Sequence, residues 1–284
     1  MSRSSGSIDL LHGALPGRLL LFTLPIALSS MLQQLFNAAD TSIVGSFGDS
    51  AALAAVGTNT EIVALIVTVS SGLSIGANVL IAGCIGKQET ERLPAVVRTA
   101  VLFAALVGLA GLLTGQCIAG PLLRLIRTPA DIFAAAERYL RIYLAGYPFL
   151  LLYDFGAAAL RACGNSRAPF LALLLSGAVN VALNLLFVVA FRLGVAGVAI
   201  ATVLSTALSA GLVLRQLCQD PLLRLSVRGL RPERAHAAAR DAVHQPLDPD
   251  LVRAALDSAL DSTALPALEL LEVHSAAPDR ATYL

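Results

Sequence analysis

Residues 28–45 read LSSMLQQLFNAADTSIVG, and they continue an apolar helical pattern that starts near residue 19. Within eight positions two glutamines, an asparagine and an aspartate interrupt that pattern. At 100° per residue Gln33, Asn37 and Asp40 fall at i, i+4 and i+7, on one helix face, and Ser29 and Ser30 extend the stripe inward. The opposite face is Leu, Phe and Ala. An ordered polar stripe must face protein or water, because a buried amide needs a hydrogen-bond partner and a carboxylate in hydrocarbon costs on the order of several kcal/mol. Two readings of Asp40 stand. It caps the segment at the interface while the amides join helices, or it lines a cavity as a proton or cation site.

The whole chain reads the same way. Of 284 residues 56% are hydrophobic and 14% charged, with mean hydropathy +0.76, too little charge to cover a soluble domain of this length. The expected class is all-α integral membrane. Net charge +1 gives no electrostatic case for a nucleic-acid partner. Cys84, Cys117, Cys163 and Cys218 lie far apart without a CxxC or Cys/His pair, and read as small buried apolar residues rather than zinc ligands. GCIGKQ lacks the upstream glycine and the hydroxyl residue of a phosphate loop. HExxH, GxSxG and calcium-loop patterns are absent too, so the chain reads as no enzyme, without a cofactor.

Crossing a bilayer takes about 20 apolar residues. Charge-free windows of 21, 25, 25, 24 and 22 residues occur at 19–39, 62–86, 99–123, 168–191 and 193–214, and Arg141–Arg161 adds one interrupted only by Asp154. Six spans are expected, at 18–39, 52–78, 95–119, 140–161, 168–191 and 194–216. No secretory signal peptide is expected, since the first apolar segment is too long and lacks a clean cleavage site. Arg3, Arg18, Lys87, Arg92, Arg161, Arg167, Arg215 and Arg224 fall on one side, which places both termini in the cytoplasm of a multi-pass inner-membrane protein. The 120–141 connection dissents, with Arg124, Arg127, Arg138 and Arg141 on the outer side.

The chain divides into a cytoplasmic N-terminal arm (1–17), a six-span lobe (18–217), a basic cytoplasmic linker helix (218–240) and an atypical tail (241–284), disordered or frame-shifted. From Gln219 onward no run is long enough to span, and ten of the nineteen acids sit there.

Other polar groups join the first stripe. In PFLALLLSGAVNVALNLLFVVA, Asn180 and Asn184 share a face, and amide oxygens are hard neutral ligands suited to Na⁺. Alone, such a pair more often joins helices. Thr202, Ser205, Thr206 and Ser209 lie in one later span and most read as bonding their own backbone. Asp154 is a mid-span acid, either a functional group or an internal partner of a neighbouring Arg or amide. Pro25 removes one backbone hydrogen bond and can bend its span. Gly72 and Gly76, and Gly111 and Gly115, suit close helix packing.

Taken in order, LPIALSSMLQQLFNAADTSIVGSFG, SSGLSIGANVLIAGCIG, the long stretch ending YDFGAAALRACGNSRAPF, GAVNVALNLLFV and LGVAGVAIATVLS resemble the MATE (multidrug and toxic compound extrusion) transporters over about residues 15–240. The resemblance implies a six-helix bundle, one lobe of a twelve-helix transporter that exports organic, often cationic, compounds against a Na⁺ or H⁺ gradient. It also implies a cation or proton site at Asp40, Asn180, Asn184 and Thr202, with Na⁺ on Asp40, Asn180 and Asn184. Cavity or substrate contacts fall to Gln33, Asn37 and Asp154, and helix bending to Pro25. Two positions depart from the pattern: Asn184 stands where some members carry Asp, and Asp154 where the pattern usually has Asn. The second lobe is not in this chain. Expected partners are therefore a small organic molecule, the lipid bilayer, and a second copy or a separate C-terminal lobe. A non-transporting fragment and a lipid-linked-substrate flippase are the alternatives.

Overall fold

The structure, a computed structural model, describes residues 15–47, 50–88, 91–220 and 223, so residues 1–14 of the N-terminal arm, most of the linker and all of the tail lie outside the described residues. The described residues form α1 (Leu15–Phe47), α2 (Ser50–Gly86), α3 (Leu93–Leu125), α4 (Ala130–Ala145), α5 (Tyr147–Ala162), α6 (Arg167–Asn184) and α7 (Gly194–Gln219), with a π-helical turn at Leu185–Ala190 after α6. No strand occurs among them.

The helix α5 is central, packing on α2, α3 and α7, while α6 joins α1 to α7. Residues 153–160 are buried without a break, so α5 is covered on every side. Its run of small residues makes this geometry affordable: a Cβ on Gly156 would run into Val213 of α7. On α3, Gly111 faces Tyr147 and Gly115 faces Leu144, the close packing expected of that glycine pair. Outward faces are apolar instead. Leu24, Leu28, Met31 and Leu35 line the outside of α1, and Leu106, Leu109 and Leu113 that of α3. Apolar residues turned outward around helices that satisfy their own backbone groups suit lipid, not water.

Four helical segments are long and apolar enough to cross a membrane, Ser50–Gly86, Leu93–Leu125, Arg167–Ala190 and Gly194–Gln219, and the pair α4–α5 makes a fifth if counted as one span. At 33 residues α1 is about 50 Å long, enough to cross, and its polar run keeps it less apolar than those four segments. The chain is a multi-pass membrane protein.

The span expected at 140–161 is part of a longer, bent pair of helices. Ala130–Ala145 and Tyr147–Ala162 are two helices bent by 44°. Pro148 has no N–H for the carbonyl of Leu144, and Gly146 instead donates to Tyr143 O at 2.9 Å. The 120–141 connection is mostly helical: α3 runs to Leu125 and α4 starts at Ala130, so Arg138 and Arg141 are helical, with Arg141 paired to Glu137 at 2.7 Å. The expected burial of all four cysteines also fails. Cys84 is buried and Cys163 half-buried, while Cys117 and Cys218 are exposed on outward faces, where a small apolar side chain suits lipid as well as core.

The turn LRACGNS has a local cause. Gly164 takes φ 80°, Asn165 N–H returns to Leu160 O at 2.9 Å, and Asn165 Oδ1 accepts from the Ala168 N–H at 3.1 Å. One tripeptide closes α5 and opens α6.

Candidate functional site

Asp40 reaches α6 because α1 packs there with unusual closeness. Phe36 lies directly over Gly177, and a Cβ at 177 would collide with its ring. One turn further along α1, Asp40 Oδ1 accepts from Asn184 Nδ2 at 2.5 Å. The same amide donates to Asn180 Oδ1 at 3.1 Å, and Asn180 Nδ2 donates to Ser205 Oγ at 3.3 Å. Thr202 Oγ1 lies 3.4 Å from Asp40 Oδ2 and 3.0 Å from the Val198 carbonyl. Its one hydrogen favours the shorter backbone bond, so Oδ2 is held more weakly than Oδ1. Asn184 is fully buried and its Oδ1 has no hydrogen-bond partner. It sits at the last α-helical position before the π-helical turn, which changes the helix pitch right after the amide.

These residues, 144 and 162 positions from Asp40 in the chain, thus form one cluster. Beside it a cavity of about 170 Å³ is lined by Gln33, Asn37, Asp40, Asn180, Thr202 and Tyr143, among others. Asn184 stands behind this lining, on Asp40 and Asn180. Gln33 and Asn37 are therefore where the stripe places them, on the cavity wall.

Asp154 lies elsewhere. It lines a second cavity of about 370 Å³ between α1, α2 and α5, together with Ser29, Ser30, Ser74, Asn78 and Arg161. Gln33 and Tyr153 border both cavities. Pro25 lines neither; its carbonyl accepts from Ser29 Oγ at 2.7 Å inside an unbroken α1.

Several polar groups escaped the sequence reading. Tyr143 and Tyr153 line cavities. Asn78 Nδ2 donates to Ala158 O at 3.3 Å, and the fully buried Asn59 donates to Ala55 O at 2.8 Å and to Ala136 O at 3.1 Å, tying α2 to α4. An amide within an apolar span was the available signal for both asparagines. The tyrosines carried none, since tyrosine is ordinary in a core.

Chemically the Asp40 cluster is one carboxylate among neutral oxygens and amides. No group of three or more His, Cys, Asp and Glu gathers among the described residues, so a multi-carboxylate or thiolate metal centre does not form there. Four acceptors of the kind a hard monovalent cation needs do gather: both Asp40 oxygens, Asn180 Oδ1 and Thr202 Oγ1, with the Asn184 amide N–H groups turned to Asp40 and Asn180.

Fold and cluster together define a multi-pass helical membrane protein that buries polar side chains between its spans, the architecture of a transporter rather than of a membrane anchor. The MatE family model matches residues 25–186, more than half of the chain, and the chain belongs to that family. Similar proteins are the probable multidrug resistance protein YoeA of Bacillus subtilis, 33% identical over 190 residues (66% of this chain and 41% of that protein), and YpnP of the same organism, 30% identical over 197 residues (69% and 44%). A third, the probable multidrug resistance protein NorM of Thermotoga maritima, is 27% identical over 201 residues (69% and 43%). The matched region thus spans less than half the length of each of these relatives. By their names these relatives are resistance proteins, and the family is one of transporters, not enzymes. Among solved structures, the outward-facing conformation of a multidrug resistance MATE family transporter of the MOP superfamily has TM-score 0.78 at 24% identity, covering 95% of this chain and 57% of that one. MATE in the bent conformation gives 0.76 at 24%, covering 91% and 55%. The expected six-helix lobe of a MATE-like fold is the fold found. Residues 224–284 match a second family model, ethanolamine ammonia-lyase light chain (EutC). They lie outside the described residues, and no motif in them had pointed to that family.

Proposed function

We propose that this chain is the N-terminal lobe of a cation-coupled antiporter that exports small organic, cationic compounds. The observation that carries the reading is the buried Asp40–Asn184–Asn180 chain, with one acceptor, Asn184 Oδ1, left without a partner. Such an orphan acceptor beside a carboxylate is costly unless a cation, a proton donor or water meets it. Asp40 takes the coupling ion with Asn180, Asn184 and Thr202. Na⁺ would sit among their oxygens, and H⁺ would sit on the Asp40 carboxylate.

Either ion changes what Asp40 can accept. A proton on Oδ2 turns that oxygen into a donor and releases Thr202 to its own backbone. Na⁺ among the oxygens competes with the Asn184 amide for Oδ1. The contact of α1 with α6 and α7 therefore depends on ion occupancy, and Pro25, which lacks a helical N–H, is where α1 bends. The cavity of about 170 Å³ is smaller than pockets that hold drug-sized molecules, roughly 300–1,000 Å³. It therefore suits an ion and waters. The organic substrate binds between this lobe and its partner, a second copy or a separate C-terminal lobe, and Gln33 and Asn37 belong to the polar path between. Reciprocal coupling of ion and substrate through α1 gives exchange. The basic side of the spans supports cytoplasmic termini and an inner-membrane location.

Proteoliposomes holding the chain, with its partner lobe supplied where the chain alone is inactive, should export a cationic dye under a Na⁺ or H⁺ gradient. Asp40→Asn should abolish gradient-driven export; equal rates in variant and parent would remove Asp40 from the ion site.

A further inference from the structure

The cavity of about 370 Å³ between α1, α2 and α5 plays no part in the Asp40 reading. Its charged groups are Asp154 and Arg161, seven residues apart and so on one face of α5, with the small Ala158 between them. Asp154 is 8% exposed, and its Oδ2 has no hydrogen-bond partner. Among the described residues the two side chains do not close into a direct ion pair. An acid and a base therefore face the same space without a direct contact between them.

The uncharged wall is asymmetric too. Ser29, Ser30 and Ser74 donate their hydroxyl hydrogens to the carbonyls of Pro25, Ile26 and Ser71 at 2.7, 3.4 and 2.8 Å. Asn78 donates to Ala158 O at 3.3 Å. These bonds leave the serine oxygens as acceptors; Gln33 and Ser71 add neutral donors to the lining, and Arg161 is its one positively charged donor. A simple organic cation would satisfy Asp154 and meet Arg161 with like charge. A simple anion would do the reverse. Both outcomes leave a charge uncompensated in a low-dielectric site, where that is expensive. A molecule carrying both signs leaves neither.

We infer that this cavity binds a small zwitterion, with its ammonium on Asp154 and the serine oxygens and its carboxylate or phosphate on Arg161. A soluble amino-acid-like molecule and an ethanolamine-phosphate lipid headgroup share this chemistry. Binding here does not depend on the Asp40 reading and needs no ion gradient, so it is measured without transport.

The test is calorimetric titration of the full purified chain in detergent with γ-aminobutyrate, n-butylammonium and n-butyrate, which share a carbon chain and differ in charge. The zwitterion should bind at least about tenfold more tightly than either singly charged probe, since each charge-assisted contact adds to the other. Equal affinity for n-butylammonium, or no binding by any probe, overturns the proposal. Asp154→Asn and Arg161→Gln should each remove the tenfold preference. If either variant is not monodisperse on gel filtration, Ser30→Leu decides: it fills the cavity and keeps both charges, so it should cut γ-aminobutyrate affinity about tenfold, and unchanged affinity overturns the assignment. Nanodiscs distinguish the sources. Weaker γ-aminobutyrate binding in phosphatidylethanolamine than in phosphatidylglycerol assigns the site to a headgroup, equal binding to a soluble molecule, and both uphold the zwitterion.

Discussion

Asp40 and Asp154 line neighbouring cavities that share Gln33 and Tyr153, yet their carboxylates are held by different means. Asp40 rests on neutral groups from two other helices, Asn184 on α6 and Thr202 on α7. Asp154 keeps one oxygen without a partner and faces a full positive charge on its own helix. A carboxylate satisfied by amides can lose or gain a proton or a small cation while its partners adjust. A carboxylate that shares its cavity with a guanidinium selects ligands by the balance of their charges. The same residue type in the same lobe is thus suited to two different tasks by its neighbours alone.

The comparison breaks most severely at Gly177. Gly177→Leu should drive Phe36 off α6, separate Asp40 from Asn184 and lower stability by about 1–3 kcal/mol in thermal melts of the detergent-purified protein. γ-Aminobutyrate binding in the other cavity, whose wall α6 does not form, should fall much less than gradient-driven export. Asp40→Leu is milder. It leaves the Asn184 amide without its carboxylate and should cost about 1–2 kcal/mol, with Asp40→Asn costing less because an amide oxygen still accepts. Equal melting of the two variants would mean that the bond to Asn184 carries no stability. The smallest effect is expected at Asn59, which touches neither cavity. Asn59→Leu removes the bond between α2 and α4 and should shift stability by about 0.6 kcal/mol, with dye export unchanged.

Much of this was legible beforehand because a bilayer imposes strict rules. Charge-free windows fell on the observed helices, since any charge in hydrocarbon is costly, though several helices run well past the expected ends. The stripe Gln33–Asn37–Asp40 was legible because helical periodicity carries polar residues to one face whatever lies opposite. The bend at Gly146 was harder to foresee. Gly-Tyr-Pro offered the signal, but an apolar window is blind to hydrogen-bond geometry. Asn59 and Asn78 passed unremarked because a single amide in a span has no periodicity. The match of residues 224–284 to the EutC model was equally silent, since an Ala-, Leu- and Asp-rich stretch has no motif to read.

By itself the sequence determined the class of the protein, the approximate positions of its apolar segments, and which helix faces are polar. These follow from local chemistry: hydropathy, charge and the 100° step of the helix. Only the tertiary structure decided that Asn184 and Thr202 meet Asp40, and that Asp154 belongs to a separate cavity with Arg161. Which polar faces meet depends on how closely helices approach, and that is set by contacts such as Phe36 on Gly177 and Val213 on Gly156. Those contacts join residues more than fifty positions apart, beyond the reach of any periodicity.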